Sequence, residues 1–174
     1  RTFKDDSNKD LWPTFIQNAV MPAAKKYGLE AKMGEDGAIA QLRAAVVSRL
    51  GFDGEDKNVI NKAKQQTAAY LKDPQKVDPY LAGTYLRLAA FHGDKALLDQ
   101  FMATFKTTKD PQVRTNMLAA MGYFGKPELQ KAVLAYSLTD EVTASDMRTI
   151  LSGQSYTDER QALFIDWIYS NYDK

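Results

Sequence analysis

Residues 77–138 read VDPYLAGTYLRLAAFHGDKALLDQFMATFKTTKDPQVRTNMLAAMGYFGKPELQKAVLAYSL, and the punctuation of this stretch decides the fold. Asp78-Pro79, Asp110-Pro111 and Lys126-Pro127 each open an apolar run, and Gly93-Asp94 closes one run and starts the next. An Asp at the N-cap accepts amide hydrogens that have no partner within the first turn. Proline just inside loses no bond, because its missing N–H would be unpaired there anyway. Behind these starts lie four stripes at helical spacing: Leu81, Tyr85, Leu88 and His92; Leu97, Leu98, Phe101, Met102 and Phe105; Val113, Met117, Ala120, Met121 and Phe124; Leu129, Ala132, Val133 and Tyr136. Short helices joined by connections of a few residues pack as antiparallel neighbours. The stretch is a helical array.

The pattern extends in both directions. Leu11, Phe15, Ala19 and Ala23 recur at helical spacing and predict a helix over Asp10–Tyr27, capped by Asp10, kinked near Pro22 and ended by Gly28. After a turn at Gly34–Gly37, Ile39, Leu42, Val46 and Leu50 form a stripe with Gly51 as its C-cap. Ile60, Ala63, Thr67, Tyr70 and Leu71 line a third helix that stops before Asp73-Pro74, and its Lys62, Lys64, Gln65 and Gln66 form a solvated face. Beyond the array, Thr143 with Asp146 resembles a capping box ahead of Met147, Ile150 and Leu151, and Gly153 closes that helix. Thr157 caps a last run to about Tyr172, in which Leu163, Phe164, Trp167, Ile168 and Tyr172 are expected to bury a broad face. No alternating strand pattern longer than a few residues occurs. The expected fold is all-α, a HEAT-like superhelical array of about eight or nine short antiparallel helices. A polar segment over 1–10 precedes a single helical-repeat domain over 11–174.

Composition narrows the function classes. Lys and Arg total 23 against 22 Asp and Glu, a net charge of +1, which gives no electrostatic reason to expect nucleic acid or an anionic membrane. No apolar run approaches the roughly 20 residues of a membrane-spanning helix. The absence of cysteine excludes disulfides and thiolate metal sites. The chain begins at Arg1 without a methionine, a start that a trimmed chain, a proteolytic fragment or a tag would each explain.

The residues that carry chemistry are scarce. The single histidine, His92, cannot form an HExxH zinc helix, and no serine lies in a G-x-S-x-G elbow. His92 is expected in the last turn of a helix, where an imidazole meets the terminal carbonyls. Asp140, Glu141 and Asp146, and likewise Asp158 and Glu159, sit at helix starts, where the dipole favours acids, and no EF-hand spacing is present. Glycines are single, so no phosphate loop forms. No catalytic, cofactor-binding or metal-ligating residue emerges. Arg87, Arg114 and Arg148 are the candidates for contact with a peptide carboxylate from a concave face.

The run Asp78-Pro79-Tyr80-Leu81…Tyr85…Ala89-Ala90-Phe91-His92-Gly93-Asp94 is similar to a segment of the C-terminal helical domain of the gluzincin aminopeptidases, the aminopeptidase N and endoplasmic-reticulum aminopeptidase group. Asp110-Pro111-Gln112-Val113-Arg114…Leu118-Ala119-Ala120-Met121-Gly122 resembles that family's arginine-bearing helix, and Pro127-Glu128-Leu129…Ser137-Leu138 the helix after it. Residues 140–146 fall at a Val-Arg-x-Gln-Asp signature. Val142 and Asp146 are kept, whereas Thr143 replaces the arginine and Ser145 the glutamine. Leu42-Arg43…Leu50-Gly51 and Arg160…Trp167-Ile168 also fit, so the resemblance covers about Leu11 to Tyr172. It implies the non-catalytic C-terminal part of a larger zinc aminopeptidase, with the zinc and the catalytic groups in an absent catalytic domain of the same polypeptide. It also implies a bowl of helices limiting access of peptide substrate. The alternative from a different class is a free-standing HEAT-like interaction scaffold. A reading frame that continues upstream into an HExxH region separates the two.

Overall fold

The starts read from residues 77–138 all become helix N-termini in the computed structural model, which describes residues 7–32 and 34–172. Residues 1–6 of the expected polar N-terminal segment lie outside the described residues. In chain order the helices are α1 Trp12–Tyr27, α2 Gly37–Phe52, α3 Lys57–Lys72, a 3-10 turn Pro74–Lys76, α4 Pro79–Phe91, α5 Lys95–Thr107, α6 Pro111–Met121, α7 Pro127–Tyr136, α8 Ala144–Leu151 and α9 Asp158–Asn171. No strand occurs among the described residues, so the all-α expectation holds. The caps work as their chemistry predicts. Asp78 accepts from the amides of Tyr80 and Leu81, Asp94 from Leu97, and Asp110 from Gln112 and Val113. Thr143 and Asp146 complete a reciprocal capping box, Asp146 N–H to Thr143 Oγ1 and Thr143 N–H to Asp146 Oδ2, each at 3.2 Å. Lys126 has no accepting atom, and α7 relies on Pro127 and Glu128 in its first turn.

The chain divides into two units, residues 1–88 and 89–174, with the boundary inside α4. In the first, α2 packs on α1 and α3, and Val47, Leu50, Ala63, Leu86 and Leu88 are buried. Thr67 Oγ1 donates to the Tyr85 carbonyl at 3.3 Å, tying α3 to α4. In the second, α5 packs on α6, α6 on α8, and α7 on α9. Its core is Leu98, Phe101, Phe105, Met117, Met121, Phe124 and Ile150, with Phe101 and Phe124 edge to face at 5.9 Å.

Several expectations need correction. Asp10 does not cap α1, whose N-cap is Leu11 without a side-chain bond. Its predicted apolar stripe faces outward: Leu11 is 70% exposed, Phe15 and Ala19 are also exposed, and only Ala24 is buried. Gly51 is no C-cap, because α2 continues to Phe52. A Cβ at Gly51 would overlap the Leu88 methyl groups, one of them at 2.8 Å, so glycine is what lets α4 approach α2. On α2 Leu42 is exposed, and the buried position beside it belongs to Arg43. His92 lies one residue beyond α4. On α9, none of the five residues expected to bury a broad face is buried; Arg160 is the buried one.

Candidate functional site

The three arginines singled out by sequence have different surroundings. Arg87, on α4, is half-buried, and Arg148, on α8, is exposed. Arg114, on α6, is the best-defined. Its Nη2 donates to Asp146 Oδ2 at 2.9 Å, its Nη1 to the Phe105 carbonyl at 3.4 Å, and its guanidinium lies 3.9 Å from the Phe105 ring centroid. Two positions of the quoted motifs, Arg114 and Asp146, are therefore brought together as an ion pair. Burial works to raise the Asp146 carboxyl, but the bonds from Arg114 and Thr143 outweigh it and hold that group below the usual carboxylate range.

A second pair braces the same corner of this unit. Lys106 on α5 meets Glu141 at 2.8 Å, which lowers the Glu141 carboxyl, and Lys106 lies over the Tyr136 ring. Burial first, and then the Glu141 carboxylate, push the Tyr136 hydroxyl well up. Tyr136 and Phe105 meet edge to face at 6.4 Å. These contacts tie the 138–143 connection to α5, α6 and α7. They include no nucleophile beside a base.

Sequence reasoning missed the two buried arginines. In the first unit, Arg43 donates to both Glu35 carboxylate oxygens, to Oε2 at 2.6 Å, and to the Tyr27 carbonyl at 2.9 Å. This bidentate pair lowers the Glu35 carboxyl and raises the Arg43 guanidinium. It fastens the 28–36 connection to α2. In the second unit, Arg160 is 3% exposed, and its hydrogen bonds among the described residues go to carbonyl oxygens. Its Nη1 donates to the Phe124 carbonyl, and its Nη2 is placed 2.5 Å from Gly122 O, 3.2 Å from Gly153 O and 3.4 Å from Gln154 Oε1. These carbonyls follow the C-termini of α6 and α8, whose dipoles supply the negative potential a carboxylate would. Burial lowers the Arg160 guanidinium to about 10. The available signal was positional: each arginine sits on an apolar stripe, Arg43 between Ala40 and Val47, Arg160 in register with Phe164 and Trp167.

Each unit also carries a cleft among its described residues. In the first, a cavity of about 220 Å³ is lined by Leu29, Val47, Val59 and Tyr85 and by the Glu30–Lys62 pair, whose charged atoms lie 2.8 Å apart. In the second, a groove of about 520 Å³ runs between α7 and α9, lined by Lys131, Ala135, Leu163 and Trp167 among others. Among the described residues, no three His, Asp or Glu side chains gather as a metal would require. No described helix is long and apolar enough to cross a membrane.

Fold and side chains together define a helical-array domain whose polar interior ties connections to helices. The chain belongs to the family of the ERAP1-like C-terminal domain, whose model matches residues 1–174. It is similar to Aminopeptidase M1 of Arabidopsis thaliana, 27% identical over 97% of this chain and 20% of that protein. It is thus the C-terminal domain of an aminopeptidase-like protein, and it spans about a fifth of the length of that relative.

Proposed function

We propose that this chain is the non-catalytic cap of a zinc aminopeptidase that removes N-terminal residues from peptides. In this reading the catalytic domain of the same polypeptide holds the zinc, and the helical array limits which peptides reach it. The family match along the whole chain carries the reading. The sequence supports it, since one histidine and no acid–base–nucleophile constellation leave the chain without chemistry of its own. Arg87, Arg114 and Arg148 are the proposed contacts to a peptide's distal carboxylate. Arg148 is the most available of them, because Arg114 is already engaged by Asp146.

The test uses the full-length polypeptide carrying Arg148→Glu, assayed on an amino-acid anilide and on a long peptide. A raised KM for the peptide with unchanged anilide turnover is expected, because the anilide has no distal carboxylate. Equal losses on both substrates would overturn the peptide contact. Turnover, or stoichiometric zinc, in the 174-residue chain alone would overturn the non-catalytic assignment.

A further inference from the structure

The cavity of the first unit is amphipathic. Val47 of α2, Val59 of α3 and Tyr85 of α4 line it together with Leu29 of the 28–36 connection. To these Glu30, Asn58 and Lys62 add one anion, one amide and one cation. The connection that carries Leu29 and Glu30 is pinned at both ends by Arg43, which donates to the Tyr27 carbonyl and to the Glu35 carboxylate. Between those ends the Tyr85 hydroxyl donates to the Leu29 carbonyl at 3.5 Å. Leu29 is thereby kept from collapsing onto its neighbours, and a space of about 220 Å³ stays open. A dry apolar cavity of about 150 Å³ is enough to bind benzene, so this one has room for a compact apolar group.

The charged pair decides what else the ligand must carry. Lys62 Nζ donates to Glu30 Oε1 at 2.8 Å, with the Glu30 side chain 76% and the Lys62 side chain 40% exposed. That bond leaves the ammonium with further donors and the carboxylate with its second oxygen. A ligand with a carboxylate alone meets Lys62 but is repelled by Glu30, and one with an amine alone meets the reverse. A zwitterion satisfies both and completes an alternating set of charges. We propose that this cavity binds a free amino acid with a compact apolar side chain, of the size of leucine. The side chain fills the space among Leu29, Val47, Val59 and Tyr85, the α-carboxylate pairs with Lys62, and the α-ammonium pairs with Glu30. A peptide presents its two terminal charges far apart, so either end matches only half of the site. The proposal concerns residues of the first unit alone and does not rest on the cap reading, which the Arg148 assay tests separately.

The experiment uses the natural full-length polypeptide and photo-leucine, an analogue that keeps both head charges and carries a diazirine on its side chain. Irradiation, digestion and mass spectrometry locate the label, and mapping it by peptide separates this cavity from any other amino-acid site in the polypeptide. Saturable labelling of peptides that carry Leu29, Val47, Val59 or Tyr85 is expected, and its absence overturns the proposal. Leu29→Trp fills the space and should abolish the label; a label that persists there is non-specific and overturns it. Lys62→Met and Glu30→Gln should each lower subsaturating labelling by about 10-fold, the worth of one charged hydrogen bond. Both residues pair only at the surface, so these variants keep their fold and unchanged labelling counts against the site. Leucine should compete about 10-fold better than leucinamide, which stands for a peptide N-terminus, or N-acetylleucine, which stands for a C-terminus. Equal competition by either analogue overturns the assignment to a free amino acid.

Discussion

Replacing Arg160 tests whether a buried cation can be held by helix ends alone. Arg160→Met keeps an apolar stem of similar length and removes the guanidinium, leaving the carbonyls of Gly122, Phe124 and Gly153 without this donor. Orphaning a buried acceptor costs about 1–3 kcal/mol each, so the gross loss is roughly 6 kcal/mol. Against this, the fall of the guanidinium to about 10 means that folding buries the cation at a cost of about 3 kcal/mol, which methionine does not incur. The net expectation is a loss of about 3 kcal/mol. Arg160→Lys keeps the charge and its burial cost, but an ammonium lacks the planar fork that reaches several carbonyls at once. It should therefore destabilise by about as much as methionine. Urea unfolding at pH 7.5, followed by far-UV circular dichroism, reads both as a lower midpoint at unchanged slope. A loss under about 1 kcal/mol for both variants would refute the shared-cap account. A lysine variant close to wild type would show that charge alone suffices, and the argument from the fork would fail.

Three further changes follow from single contacts. Gly51→Ala in an exposed helix interior would gain about 1 kcal/mol of propensity. Here the overlap with Leu88 reverses the sign, to a loss of about 1–3 kcal/mol, and Leu88→Ala in the same molecule should be less than additive in thermal melts. Asp146 is held below the usual carboxylate range, so its stabilisation is complete above the unfolded value near pH 4 and is lost as pH falls through the lower folded one. Asp146→Asn should flatten the acid limb of a stability–pH profile below about pH 4; an unchanged slope there rules out the Arg114 pair as its source. Thr143→Ala removes one arm of the capping box and should cost about 1 kcal/mol, seen as a lower urea midpoint.

The helix starts were legible because capping is local. An Asp two or three residues from the amides it accepts needs no tertiary structure to be recognised, and Asp78, Asp94, Asp110 and Thr157 all function as their sequence suggests. The faces of the outermost helices were not legible. Periodicity establishes that α1 and α9 have apolar stripes, but which stripe meets the core depends on the neighbours present, and Phe15 and Tyr172 face solvent in the structure. Gly51 was misread for a related reason: glycine serves a C-cap through its backbone freedom and a helix crossing through its missing side chain, and only the position of Leu88 distinguishes the two. Arg43 and Arg160 were not read as buried, because the partners a buried arginine needs lie 6 to 38 residues away along the chain. The pairing of Arg114 with Asp146, 32 residues apart, was hidden in the same way.

Shifted titration is a common mark of a catalytic site, and this chain has several shifted groups, so their causes decide what kind of site they make. Glu35 and Arg43 answer to each other and fasten a connection to α2. Asp146 answers to Arg114 and to its own capping box, and Glu141 to Lys106. Arg160 is shifted by burial among the carbonyls that follow two helices. In each case the perturbing partner belongs to the packing of a connection, and none leaves a base free beside a nucleophile. A domain that places its buried charge on connections gains fixed geometry between successive helices.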